Sequence, residues 1–239
     1  MYGLVNASGG IGYHLAALQY AADLWDPFRK DLAREIGKRV AHPEQVDLVL
    51  VGASGGYCLD PSFFSRFRSI TAIDIDPLAG FLLRRRLGAG RVRFVRQDFF
   101  KALGRFDWSL ARWLVSVGVP GGGLVLFSNL LGQLGFIYSE SRRAEIHKGL
   151  VKALGGGTSW LSYHDRFSVK LGVSPRVSLD FQARPESLEL ATRWGVSGEV
   201  IEHETGEWTS EARGGFTYIP WRLDSRRTQL IEICGSIRG

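Results

Sequence analysis

Val46-Asp47-Leu48-Val49-Leu50-Val51-Gly52-Ala53-Ser54-Gly55-Gly56-Tyr57 sets a short apolar run directly against a glycine turn. A β-branched run of this length, ending in glycine, is the pattern of a strand buried on both faces of a parallel sheet. In open α/β sheets ligands bind beyond the carboxyl ends of the strands, and a glycine turn there lets backbone approach a ligand closely. Residues Gly52, Ala53, Ser54, Gly55 and Gly56 are therefore the expected seat of a cofactor. The dinucleotide fingerprint GxGxxG is not met, since Ser54 and Tyr57 stand at its second and third glycines. A P-loop is excluded as well, because no Gly-Lys-Ser or Gly-Lys-Thr follows.

Downstream spacing supports the same reading. The segment 70–75 is a second strand that closes on Asp74-Ile75-Asp76-Pro77. Asp74 falls where its carboxylate would accept hydrogen bonds from both hydroxyls of a ribose. Asp76, directly before Pro77, is read as a helix N-cap. Residues 91–95 form a third strand, after which Asp98 is placed to accept from an adenine amino group.

Further along, helices over 77–87, 108–117 and 142–154 alternate with strands over 124–128 and 160–163. Upstream, Leu15, Leu18, Ala22 and Trp25, then Phe28, Leu32 and Ile36, recur at helical spacing around Pro27, which gives two helices between residues 14 and 40. The tail reads as a helix over 186–194 and strands over 215–223 and 228–233. The expected architecture is α/β: a Rossmann-like, mostly parallel sheet with helices on both faces, closed by a C-terminal antiparallel hairpin edge and led by an N-terminal helical preface. The expected division is a preface or lid over 1–45 and the sheet domain over 46–239.

Composition narrows the class. With 239 residues, 45% hydrophobic and 23% charged, the chain is globular rather than disordered or fibrous. No apolar run approaches the roughly 18 residues of a bilayer span. The opening residues carry neither a basic nor an apolar region, so no secretory signal is expected. Two cysteines, Cys58 and Cys234, have no CxxC spacing, which argues against a disulfide framework or a zinc site and fits a reducing cytoplasm. No metal is expected. Thirty Lys and Arg against 24 Asp and Glu leave a net charge of +6, so an anionic partner such as RNA stays open. Basic residues crowd 84–105, where the sequence shows no aromatic interleaving and reads first as a solvated helix end and strand edges.

At these motifs the chain resembles the class I S-adenosylmethionine-dependent methyltransferases. The resemblance rests on residues 48–56 as first motif, Thr71-Ala72-Ile73-Asp74-Ile75-Asp76-Pro77 as second and Phe94-Val95-Arg96-Gln97-Asp98-Phe99 as third, and it spans roughly 46–239. It implies S-adenosylmethionine as cofactor, with its methionine half on the glycine turn, ribose on Asp74 beside Ile75, and adenine near Asp98 and Phe99. Val51 stands where many members carry an acid, and Ser54 interrupts the usual GxGxG.

Methyl transfer from a sulfonium is an in-line displacement that asks mainly for positioning and, for some acceptors, a proton acceptor. The fourth strand ends in Phe127-Ser128-Asn129-Leu130-Leu131, which puts Ser128 against the cofactor and Asn129 at the reacting centre. By resemblance, Asn129 takes the place where nitrogen methyltransferases keep Asp or Asn before two prolines; Leu130 and Leu131 replace those prolines. His164, after the fifth strand, is the candidate general base. Tyr13 and His14 are read as part of a lid. His203, with Glu202, Glu204, Glu207 and Glu211, is read as a solvated acidic loop. Two other classes share such a sheet: a nicotinamide-dependent oxidoreductase and a noncatalytic module that keeps only the fold. The acceptor itself is not specified: small molecule, protein side chain and RNA all remain.

Overall fold

A computed structural model describes residues 5–6, 9–170, 178–196, 200–203 and 205–238. Glu204 of the acidic loop lies outside them. The short antiparallel pair β1 (Val5–Asn6) and β2 (Gly9–Gly10) leads into α1 (Ile11–Tyr20) and α2 (Asp26–Arg39), with Pro27 in the first turn of α2. The first half of the sheet follows as β3 (Asp47–Val51), α3 (Pro61–Phe64), β4 (Ser69–Asp74), α4 (Ala79–Leu87) and β5 (Val92–Arg96). Then come α5 (Phe99–Arg105), α6 (Leu110–Ser116), β6 (Leu124–Ser128), α7 (Leu134–Ile137), α8 (Glu140–Gly155) and β7 (Trp160–Lys170). The tail holds β8 (Leu179–Phe181), α9 (Ser187–Trp194), β9 (Val200–Glu202), β10 (Phe216–Arg222) and β11 (Arg227–Ser236).

Local chemistry accounts for the boundaries. The Asp60 carboxylate accepts from the N–H groups of Ser62 and Phe63 at the start of α3, and Asp98 accepts from Lys101 N–H at the start of α5. Gly195 ends α9 at φ 68°, a left-handed cap that suits glycine.

The main sheet runs β5-β4-β3-β6-β7-β11-β10-β8, with β9 on the outer part of β7. Strands β5, β4, β3, β6 and β7 are parallel; β11 is antiparallel to both β7 and β10. This is the expected Rossmann-like α/β fold, with one difference in detail. The closing hairpin is not the edge of the sheet: β11 is inserted between β7 and β10, and β8 is the edge.

The strand order reverses between β3 and β6, the place where an open sheet parts to form a crevice. Alternation along each strand sorts the core into two layers. Leu48, Leu50, Leu124, Leu126, Leu161 and Tyr163 pack against α1, α2 and α4, where Ala17, Trp25, Phe28, Leu32, Ile36 and Leu83 are buried. Val49, Val51, Val125, Phe127 and Trp160 pack on the other face against Leu103, Trp113, Ile146, Leu150 and Trp194. The first two helices thus share one core with the sheet. No helix among the described residues is long and apolar enough to cross a membrane.

Candidate active site

The carboxyl ends of β3, β4 and β6 lie beside the middle of β7, and α1 reaches the turns after β3 and β4. From β3 the chain turns sharply through Gly52 at φ 76°, Ser54 at φ 47° and Gly56 at φ 67°. Ser54 is a non-glycine residue in the left-handed region, a conformation that surroundings must impose. Here Asp74 imposes it. One carboxylate oxygen of Asp74 accepts from Ser54 N–H at 2.8 Å, and the other accepts from Asp76 N–H at 2.9 Å. Burial pushes the Asp74 carboxyl up, and those two amides oppose the shift.

The turn does not present bare backbone along its whole length. A Cβ on Gly52 would lie 3.0 Å from Leu130 Cβ, one on Gly55 would lie 2.5 Å from the Tyr57 ring, and one on Gly56 would lie 2.6 Å from Leu83. The absence of a side chain at 55 and 56 thus makes room for the Tyr57 ring and for Leu83.

Helix α1 closes over this turn. His14 Nε2 lies 2.7 Å from Asp76 Oδ2 and its Nδ1 lies 3.2 Å from the Tyr57 hydroxyl. Tyr13 stacks on Trp25 and its hydroxyl lies 3.4 Å from Cys58 Sγ. Burial pushes the Cys58 thiol up to about 12. Asp76, read as a cap, does accept from Leu78 N–H at 2.9 Å, and it is also the anchor of α1.

At the end of β6, Asn129 adopts φ 52° and reaches across to β7. Its Oδ1 accepts from Asp165 N–H at 3.0 Å, and its Nδ2 donates to Asp165 Oδ2 at 3.2 Å. Asp165 is 3% exposed, and its Oδ1 has no hydrogen-bond partner. Burial raises its carboxyl to about 7. The hydroxyls of Ser54 and Ser128 are also buried without partners, so three orphaned polar oxygens lie at or just past the carboxyl ends of β3 and β6 and at the middle of β7.

His164 is elsewhere. Alternation along β7 places Tyr163 and Asp165 on the face of α1 and His164 on the opposite face. There it is fully buried, between Ser162 Oγ at 3.1 Å and Glu232 Oε1 at 3.2 Å, edge-on to Trp208. Glu232 also accepts from Tyr218 at 2.7 Å and Arg184 at 3.0 Å. His164 is therefore a core residue rather than an open general base, and Asp165, one position on, was missed. Its signal in the sequence is only adjacency.

Two expected adenine contacts are also occupied by structure. Asp98 caps α5, and Phe99 is buried edge-on to Trp113 and Phe127. Ile75 is exposed beside Asp74. His203 is buried at 2.7 Å from Ser168 Oγ, so it is not part of a solvated loop.

No family model matches this chain, and no curated protein matches it significantly. Among solved structures it is similar to the N-methyltransferase NodS from Bradyrhizobium japonicum bound to S-adenosyl-L-homocysteine, at 14% identity and TM-score 0.45 over 94% of this chain and 98% of that one. It is similar to human N-acetylserotonin methyltransferase in complex with SAM at 14% identity and TM-score 0.40, over 92% and 56% of the two chains. An RNA methyltransferase from Salinibacter ruber gives 19% identity and TM-score 0.35, over 56% and 74%. At these identities and scores neither an activity nor a substrate passes to this chain.

Proposed function

We propose that this protein is an S-adenosylmethionine-dependent methyltransferase acting on an acceptor that gives up an O–H or N–H proton. The observation that carries the reading is the Asp74 carboxylate at the carboxyl end of β4, bound to the Ser54 amide at the point where the strand order reverses. Each of its oxygens accepts one amide and keeps a second lone pair, enough for a vicinal diol. The unpartnered hydroxyls of Ser54 and Ser128 add polar atoms beside it. These residues suit the ribose and the amino-acid end of such a cofactor.

The cofactor, when bound, supplies a methyl group on a positively charged sulfur. Asn129 fixes the position of Asp165 by gripping both its amide and its carboxylate. Asp165, with a free oxygen and a carboxyl near 7, is suited to take the acceptor's proton at neutral pH. Helix α1, tied down by His14 on Asp76 and Tyr57, excludes water from above.

Titration calorimetry with S-adenosylmethionine, S-adenosylhomocysteine and NAD tests the reading. Binding of the two sulfur nucleosides is expected. Binding of NAD alone would favour an oxidoreductase. Binding of none would leave the noncatalytic module, which the Leu130 contact over Gly52 favours.

A further inference from the structure

The arginines between α4 and β5 line a groove whose chemistry the proposed methyl site does not use. Residues 84–105 hold eight Lys and Arg and one Asp, a segment charge of +7 in a chain whose net charge is +6, so the remainder is net −1. Among the described residues none of these eight cations pairs with a carboxylate. Arg84 Nε donates to Val92 O at 3.3 Å, Arg91 to Ser65 O at 2.7 Å, Arg96 Nε to Ile75 O at 3.3 Å, and Arg93 to Thr71 Oγ1 at 3.2 Å. Neutral acceptors fix their positions and leave their charge uncompensated.

Two adjoining hollows, of about 670 and 600 Å³, share Arg84 and Ala89; the larger lies between α4 and β5, and the smaller passes the amino ends of β5, β4 and β3. The first is walled by Phe81, Phe94, Arg84 and Arg85; the second continues past Arg91 and Arg93. Its acid, Asp47, is already paired with Arg68 at 2.5 Å. Phe81 is 65% exposed. The helix and the strand bring Phe81 and Phe94 to the same hollow, an aromatic-basic pairing invisible in linear order.

We propose that this groove binds a single strand of RNA, with phosphates along Arg84, Arg85 and Arg91 and a base against Phe81 and Phe94. Concavity argues for a thin, flexible polyanion, because a bilayer surface cannot follow a hollow floored by Phe94. A flat apolar group entering between cationic rims is what a nucleobase offers. Nothing in the proposal depends on a bound nucleoside at Asp74.

The test is fluorescence anisotropy of a labelled, unstructured RNA 20-mer, measured against salt without cofactor. Arg84→Gln/Arg85→Gln/Arg91→Gln is expected to weaken binding and to flatten the log-log salt slope by about 2, since each phosphate contact to a single strand contributes about 0.7. Lys148→Gln/Arg222→Gln/Arg226→Gln, which removes equal charge elsewhere, is expected to leave the slope near that of the parent. Phe81→Ala is expected to weaken binding about 5-fold or more at constant slope. The proposal is overturned if both triple variants lose affinity equally, or if Phe81→Ala changes nothing. It is also overturned if poly-glutamate or phosphatidylserine vesicles displace the RNA at equal charge concentration. Circular dichroism and thermal melting confirm that each variant is folded.

Discussion

Asn129 and Asp165 hold each other at two points, the Asn129 carbonyl on the Asp165 amide at 3.0 Å and the Asn129 amide on the Asp165 carboxylate at 3.2 Å. A left-handed asparagine ending one strand thereby locks the orientation of a buried acid on the next. The remaining Asp165 oxygen is buried and has no hydrogen-bond partner.

That acid makes stability depend on pH in a particular window. Its carboxyl is raised from 3.8 to about 7 by burial, so the folded chain keeps a proton that the unfolded chain releases. The contribution is full below about pH 4 and is lost as pH rises through 7, at most about 4 kcal/mol. Asp165→Asn should flatten this fall in urea melts between pH 4 and 8. In a methyl-transfer assay the same variant should also remove the acidic limb of the rate profile near pH 7. An unchanged limb would exclude Asp165 as the proton acceptor.

Asp74→Ala is expected to lose at least 10-fold in affinity for S-adenosylhomocysteine by calorimetry, because the proposed function gives that carboxylate both ribose hydroxyls. Unchanged affinity in a folded variant would remove the ribose assignment.

Leu130 packs over Gly52, where the turn would otherwise face the crevice. If a ligand must push Leu130 aside, Leu130→Ala should bind S-adenosylhomocysteine more tightly, while costing roughly 1 kcal/mol or more of stability as a truncated apolar contact. Weaker binding would show that Leu130 is part of the ligand's own contact surface.

Glu232 gathers His164, Tyr218 and Arg184 with no exposure at all. These partners hold its carboxyl down to about 2, so its contribution is present above about pH 4.5 and is lost as pH falls through 2. Glu232→Gln should cost about 3–5 kcal/mol at pH 7 in chemical denaturation, because the Arg184 guanidinium at 3.0 Å and the buried Arg166 guanidinium at 3.9 Å lose their carboxylate. A loss below 1 kcal/mol would contradict the network.

Much of the parallel half of the sheet was legible from apolar runs, since β3, β4 and β6 are buried on both faces and admit few polar residues. The fifth strand was read as ending at Tyr163, yet β7 continues to Lys170. Its continuation carries His164, Asp165 and Arg166, polar residues buried against partners from the end of β6, from β11, and from β9 and the start of α9. Such partners are distant in sequence, so local patterning cannot announce them. The same limit hid α5, whose Phe99 reads as a ligand contact beside Asp98 but is buried with Phe100 in the core. Asp74 was legible because its place at a strand end follows from spacing alone. Asp165 was not, because its face depends on the strand continuing past residue 163.

The position of β11 has a bearing on biosynthesis. It leaves the ribosome after β7 and β10, the two strands it separates, so until then each shows the solvent an unzipped row of amides and carbonyls. Translation must thus run to about residue 236 before the middle of the molecule can seal, and the nascent chain is open to aggregation until β11 has emerged.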